Sequence, residues 1–180
     1  PIPLIAETGG QNAMIVDSSA LTEQVVIDVV NSAFDSAGQR CSALRILCVQ
    51  EDNAKTLVTM LKGAMQQLIM GNPFILKTDI GPVIDLEAKQ TIDQHIQKMR
   101  SKGYPVHQLI LNDDATQQAE FNQGTFVAPT LIELPNLDDL EREVFGPVLH
   151  VITYKHGEVQ QLLERINAKG YGLTTVSYTH

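Results

Sequence analysis

Ala13-Met14-Ile15-Val16 is an unbroken apolar run at strand length, the pattern of a strand covered on both faces. Leu21 to Phe34 follows with helical period, its Val25, Val26, Val29, Val30, Ala33 and Phe34 falling on one side. Leu44-Arg45-Ile46-Leu47-Cys48-Val49 then returns to strand character. Two buried strands joined by a helix predict a parallel pair, because a crossover of this length reverses the chain between them. The fold class is therefore α/β, with a largely parallel sheet and flanking helices.

The alternation continues downstream. Asp52 is a predicted N-cap for a long helix whose Leu57, Val58, Leu61, Ala64, Met65 and Leu68 form the inner face, ended by Gly71-Asn72-Pro73. Asp85 is predicted to cap a helix running to about Lys102, stopped by Gly103. Val106 to Leu111 reads as a strand and Asn112 to Gly124 as a polar surface loop. Strand character returns at Phe126-Val127, Thr130 to Leu134 and Leu149 to Tyr154. A last helix spans roughly Glu158 to Ala168, before a strand over Leu173 to Tyr178. Upstream, Leu4 to Ala6 also reads as a strand. There is no repeat or linker, so residues 1–180 form one domain. Both ends read as cut, since the chain opens on Pro1 just before a strand and closes on another.

Composition narrows the function. With 43% hydrophobic residues among 180, the chain can bury a sizeable core. Thirteen basic against 21 acidic side chains give a net charge of -8, the wrong sign for nucleic-acid binding. No run approaches the roughly 20 apolar residues of a membrane span, and the start lacks signal-peptide character, so the chain reads as cytoplasmic. The five histidines have no metal-ligand spacing.

Of the two cysteines, Cys48 sits inside a strand and reads as a small buried hydrophobe. Cys41 lies in Phe34-Asp35-Ser36-Ala37-Gly38-Gln39-Arg40-Cys41-Ser42, between helix and strand. Gly38 would let a ligand approach the backbone closely. Arg40 would favour the thiolate, the form that attacks electrophiles. A redox pair of Cys41 and Cys48 is the weaker reading, since the CxxC spacing is absent.

Four segments together resemble the aldehyde dehydrogenase superfamily. Gly38-Gln39-Arg40-Cys41 matches its nucleophile motif, and Glu7-Thr8-Gly9-Gly10-Gln11-Asn12 its glutamate motif. Glu143-Val144-Phe145-Gly146-Pro147-Val148 and Asn167-Ala168-Lys169-Gly170-Tyr171-Gly172-Leu173-Thr174 are similar to two further motifs. The resemblance implies that Cys41 attacks the aldehyde to give a thiohemiacetal, and that Glu7 activates the water that hydrolyses the later thioester. It places Thr8, Gly9, Glu143 and Phe145 against an NAD cofactor, Glu143 and Phe145 at the nicotinamide ribose. NADP stays open, because the discriminating residues lie outside this sequence. Gly9 and Gly10 would admit the cofactor to the backbone.

Pro1 to Asn12, Ala33 to Arg45 and Gly124 to Leu131 more narrowly resemble the L-glutamate γ-semialdehyde (Δ1-pyrroline-5-carboxylate) dehydrogenase module of bifunctional proline utilization A proteins. That likeness implies a small aldehyde substrate whose carboxylate meets Ser42, and a role in proline catabolism. Arg45, four residues after Cys41, reads as a support of the nucleophile loop. The resemblance further implies a homo-oligomeric parent with a fused proline dehydrogenase module. The NAD-binding domain, an upstream oxyanion-hole asparagine, the carboxylate-anchoring loop and the oligomerisation strand all lie outside these residues. The sequence also departs from the family at Thr175-Val176-Ser177, where a glycine is usual. The isolated chain is thus expected not to turn over. A CoA-acylating enzyme, which generally lacks the base, and a non-catalytic assembly module remain as alternatives.

Overall fold

The structure, a computed structural model, describes residues 2–3, 9–111, 119 and 121–178. Glu7, Thr8, the strand expected over 4–6 and most of the loop expected over 112–124 lie outside the described residues.

Strands β1 (Asn12–Val16) and β2 (Leu44–Gln50) flank helix α1 (Thr22–Phe34), and α2 (Glu51–Met65) follows β2 directly. Helix α3 (Leu86–Ser101) leads to β3 (Val106–Gln108), β4 (Thr130–Leu134) and β5 (Val148–Tyr154). Helix α4 (Val159–Ala168) and β6 (Thr175–Tyr178) complete the order. The six strands form one sheet in the order β3-β4-β5-β2-β1-β6. Every pairing is parallel except β3 with β4. All seven residues of β2 are buried, as a central parallel strand requires. Among the described residues no helix is long and apolar enough to cross a membrane.

The expected α/β sheet is present, with corrections at its margins. Asp52 does not cap α2; Gln50 holds that place, and its Nε2 donates to the Asp52 carboxylate at 2.6 Å. The helix ends at Met65 rather than near Gly71, because the chain turns at Gln66 so that Met70 can bridge to Ile80. Strand β3 stops at Gln108, being a half-buried antiparallel edge. Phe126 and Val127 are buried but belong to no strand. Residues 121–123 are helical rather than loop, and Phe121 packs into the core edge-on to Phe126 at 5.0 Å. Asp85 does cap α3, accepting from the Ala88 N–H at 2.8 Å, and Gly103 follows in the left-handed conformation with φ +80°.

The topology sets the site. β1, β2 and β5 are parallel neighbours, so the residues preceding each (9–11, 38–43 and 143–147) emerge along one edge. This is the amino edge of the sheet, whereas open α/β sheets usually bind ligands beyond their carboxyl ends.

Candidate active site

Helix α1 runs straight into a left-handed turn. Ser36 (φ 57°), Ala37 (φ 53°) and Gly38 (φ 66°) all lie in the region that L-residues avoid. At Gly38 the reason is steric: a Cβ there would strike the backbone of Gly146. Here the chain makes a close approach to itself, joining the cysteine motif to the Glu-x-Phe-Gly-Pro segment. The chain also packs closely at Gly9 and Gly10. A Cβ on Gly9 would sit 2.7 Å from Glu143 Oε2, and one on Gly10 3.0 Å from the Cys41 carbonyl oxygen.

After the turn the loop is pinned residue by residue. Gln39 accepts from the Ile84 N–H at 2.8 Å, tying the loop to the segment before α3. Arg40 points its Nη2 at the carbonyls of Asn31 (2.9 Å) and Ser32 (3.2 Å). Its charge thus meets the negative end of α1. Cys41 itself is exposed. The peptide before it is held at the Arg40 carbonyl, which accepts from Ala43 N–H (3.1 Å) and Arg45 Nη2 (3.2 Å). The peptide after it is held at the Cys41 carbonyl by Asn12 Nδ2 at 2.7 Å, which also reaches Ala43 O at 2.8 Å. A trans peptide sends its N–H opposite to its C=O, so the grip on Arg40 O also aims the Cys41 N–H. Ser42 is exposed beside the thiol. Cys48 is the contrast: wholly buried, with its thiol pushed up to about 12 by desolvation.

Arg45 is the hub. It is 1% exposed, and its guanidinium also donates from Nε to Glu143 Oε1 at 3.1 Å and from Nη1 to Gly146 O at 3.0 Å. Burial draws the Arg45 guanidinium below its ordinary value while the Glu143 charge pushes it back, and a guanidinium in a protein stays protonated. Glu143 completes the clasp by accepting from the Gly10 N–H at 2.8 Å. Phe145, 45% exposed, lies beneath the guanidinium with its centroid 5.1 Å from Cζ.

Three motifs far apart in sequence therefore meet through Gly10, Arg45, Glu143 and Gly146. Sequence reasoning gave no role to Asn12 or Gln39, although both stand inside the quoted motifs. Nor did it link any two histidines, and the structure hydrogen-bonds His95 to the fully buried His150 at 2.8 Å. No local spacing signals a pair 55 residues apart.

The nicotinamide end of a dinucleotide fits what is present. Glu143 Oε2 takes one donor and keeps acceptor capacity for a hydroxyl, and Glu143 also lines a cavity of about 320 Å³ with Thr91, His95 and Arg142. The half-exposed Phe145 ring supplies a flat apolar face.

Comparison with known proteins identifies the family. The bifunctional protein PutA of Klebsiella aerogenes is 63% identical over 179 residues, covering 99% of this chain and 14% of that protein. A 1-pyrroline-5-carboxylate dehydrogenase of Geobacillus kaustophilus is 32% identical over 173 residues, 95% of this chain and 32% of the relative. The crystal structure of a bifunctional proline utilization A (PutA) protein superposes with a TM-score of 0.89 at 47% identity, over 99% of this chain and 17% of that one. This chain thus spans only a small part of these relatives. The family described as "Aldehyde dehydrogenase family" matches residues 2–180. With its exposed, doubly pinned cysteine and the glutamate clasp behind it, the chain belongs to the aldehyde dehydrogenase family.

Proposed function

We propose that this chain is the nucleophile-bearing catalytic portion of a larger NAD(P)-dependent dehydrogenase that oxidises L-glutamate γ-semialdehyde to L-glutamate in proline catabolism. The observation that carries the reading is Cys41: an exposed thiol on a loop whose two flanking peptides are both fixed by side chains. A nucleophile held this way meets its target at small entropic cost. The names of the PutA and 1-pyrroline-5-carboxylate dehydrogenase relatives support the substrate class.

In this mechanism the Cys41 thiolate adds to the aldehyde carbon, forming a C–S bond and a tetrahedral thiohemiacetal. The oxyanion that develops meets the Cys41 N–H, whose direction the Arg40 carbonyl grip determines. Glu143 and Phe145 would hold the nicotinamide ribose of NAD(P), which when bound supplies the hydride acceptor. Thr8 and Gly9 border the same cofactor, and Gly9 packs beside Glu143. Glu7 then takes a proton from water, which attacks the thioester and releases the acid with the Cys41 thiolate as leaving group. The hydroxyl of Ser42 receives the substrate's distal carboxylate.

The test is NADH formation by the full-length protein with Δ1-pyrroline-5-carboxylate, beside simple aliphatic aldehydes, for wild type, Cys41→Ala and Glu7→Gln. The carboxylate-bearing substrate is expected to be strongly preferred, activity to vanish in Cys41→Ala, and acyl-enzyme to accumulate in Glu7→Gln. Activity on aliphatic aldehydes alone would discard the substrate, and a fully active Cys41→Ala would discard the mechanism. The isolated 180-residue chain is expected to form no NADH.

A further inference from the structure

Arg45 occupies an irregular place in the sheet. Leu44 pairs with Asn12 and Ile46 with Ala13, so Arg45 is an extra residue facing no partner on β1. On the other side the ladder with β5 begins only at Ile46, opposite His150. Arg45 therefore stands at a β-bulge, the device by which a strand re-aims one side chain. Its carbonyl faces the ring of His150, whose Nδ1 lies 3.1 Å away.

A carbonyl can only accept, so Nδ1 of His150 carries the proton. The ring is 1% exposed, and desolvation, reinforced by the charges of His95 and Arg45, draws it down to about 3, so it is neutral at physiological pH. Its Nε2 is then an acceptor, and His95 Nε2–H donates to it at 2.8 Å. The rings meet edge-on, 83° between planes, with centroids 5.1 Å apart. The Arg45 carbonyl thus sets the tautomer of His150, and His95 holds the ring from its other side.

We infer that His150, oriented by His95, is a positioning residue for the Cys41 nucleophile, a role that rests on the thiol-based reading above. The path is continuous. His95 holds the His150 ring at Nε2, and His150 Nδ1 holds the bulged carbonyl of Arg45. The bulge sends the guanidinium to the Arg40 carbonyl, and that carbonyl shares a peptide with the Cys41 N–H. Neither histidine touches the thiol. Their effect passes through the geometry of one peptide group.

The test uses the full-length protein and four forms: wild type, His150→Leu, His150→Gln and His95→Leu. Each is measured for kcat and KM with Δ1-pyrroline-5-carboxylate, for the rate of Cys41 alkylation by iodoacetamide, and for thermal unfolding. His150→Leu is expected to lower kcat and the alkylation rate by roughly tenfold or more while each KM stays within about threefold, since misplacement of the nucleophile falls on the chemical step. Glutamine can still donate to the Arg45 carbonyl, so His150→Gln is expected to recover most of the loss. A folded His150→Leu protein with wild-type alkylation and kcat would overturn the inference, as would a Gln variant no better than Leu. If His150→Leu does not fold, His95→Leu decides, because His95 is only half-buried; unchanged rates there would equally overturn the role. If wild type forms no Cys41-dependent NADH, the dehydrogenase reading fails by itself, and the alkylation series still judges the positioning.

Discussion

Replacing Arg45 by methionine keeps most of the buried stem volume and removes every directed bond of the guanidinium. The cost can be apportioned from its partners. The carbonyls of Gly146 and Arg40 each retain another donor, from Val148 N–H at 2.8 Å and Ala43 N–H at 3.1 Å. Glu143 is hit hardest, since its side chain is 11% exposed and, among the described residues, keeps only the Gly10 N–H. Breaking a buried ion pair by deleting one partner costs about 3–5 kcal/mol. The surviving carbonyl partners place Arg45→Met at the low end, about 3 kcal/mol, which for a chain of this length lowers Tm by roughly 6–12 °C. Glu143→Gln strands the opposite charge and should cost a similar amount. The double variant Arg45→Met/Glu143→Gln buries no unpaired charge and should lose less than either single change. Urea unfolding of all four forms, followed by circular dichroism at pH 7.5, measures the cycle. An Arg45→Met variant within about 1 kcal/mol of wild type, or a double variant at the sum of the singles, would refute the clasp.

Gly38→Ala adds a methyl against the Gly146 backbone in a left-handed residue, and should cost about 2–4 kcal/mol in thermal unfolding. Gly103→Ala, at φ +80° with open space around it, should cost only about 1 kcal/mol; equal losses at the two glycines would deny the close approach at Gly38. The His150 ring should also make stability depend on pH. Its folded value lies near 3 against an ordinary 6.5, so above pH 6.5 neither state is charged and the ring contributes nothing to the slope. Below that pH the unfolded chain binds a proton that the folded chain refuses, and stability falls by up to about 1.4 kcal/mol per pH unit. The difference in urea stability between wild type and His150→Gln, followed from pH 7.5 to 4.5, should move by that slope. A flat difference would contradict a buried neutral ring.

Sequence periodicity carried the sheet because parallel strands covered on both faces must be continuously apolar; β1, β2, β4 and β5 all declare themselves this way. It failed where that pressure weakens. The edge strand β3 is half-buried, so Leu109 and Leu111 looked like its continuation although the ladder ends at Gln108. Leu68 and Met70 extend the apolar spacing of α2 beyond Met65, yet Met70 serves a bridge to Ile80. At the site, the contrast between an exposed Cys41 and a buried Cys48 was legible from their flanks. The partners of the glycines were not. Gly9, Gly10 and Gly38 advertise close approach without saying by what, and the answer lies in Glu143, Cys41 and Gly146, brought together only by the strand order. Arg45 and Glu143 are 98 residues apart, a distance over which no local pattern encodes a bond.

Gathering the chemistry on the amino edge leaves the opposite rim to the connections: 17–21 after β1, the abrupt step from β2 into α2, and 155–158 after β5. A strand of five to seven residues separates the two rims, roughly 16–23 Å at the usual rise. Length can therefore change on the far rim while the thiol's surroundings stay in register. Gly157, with φ +81° and nothing within 4 Å of a would-be Cβ, marks the roomiest point there. A reporter peptide spliced between Lys155 and Glu158 would sit a strand's length from Cys41, which makes that turn a handle for attaching probes or tethering the protein to a surface.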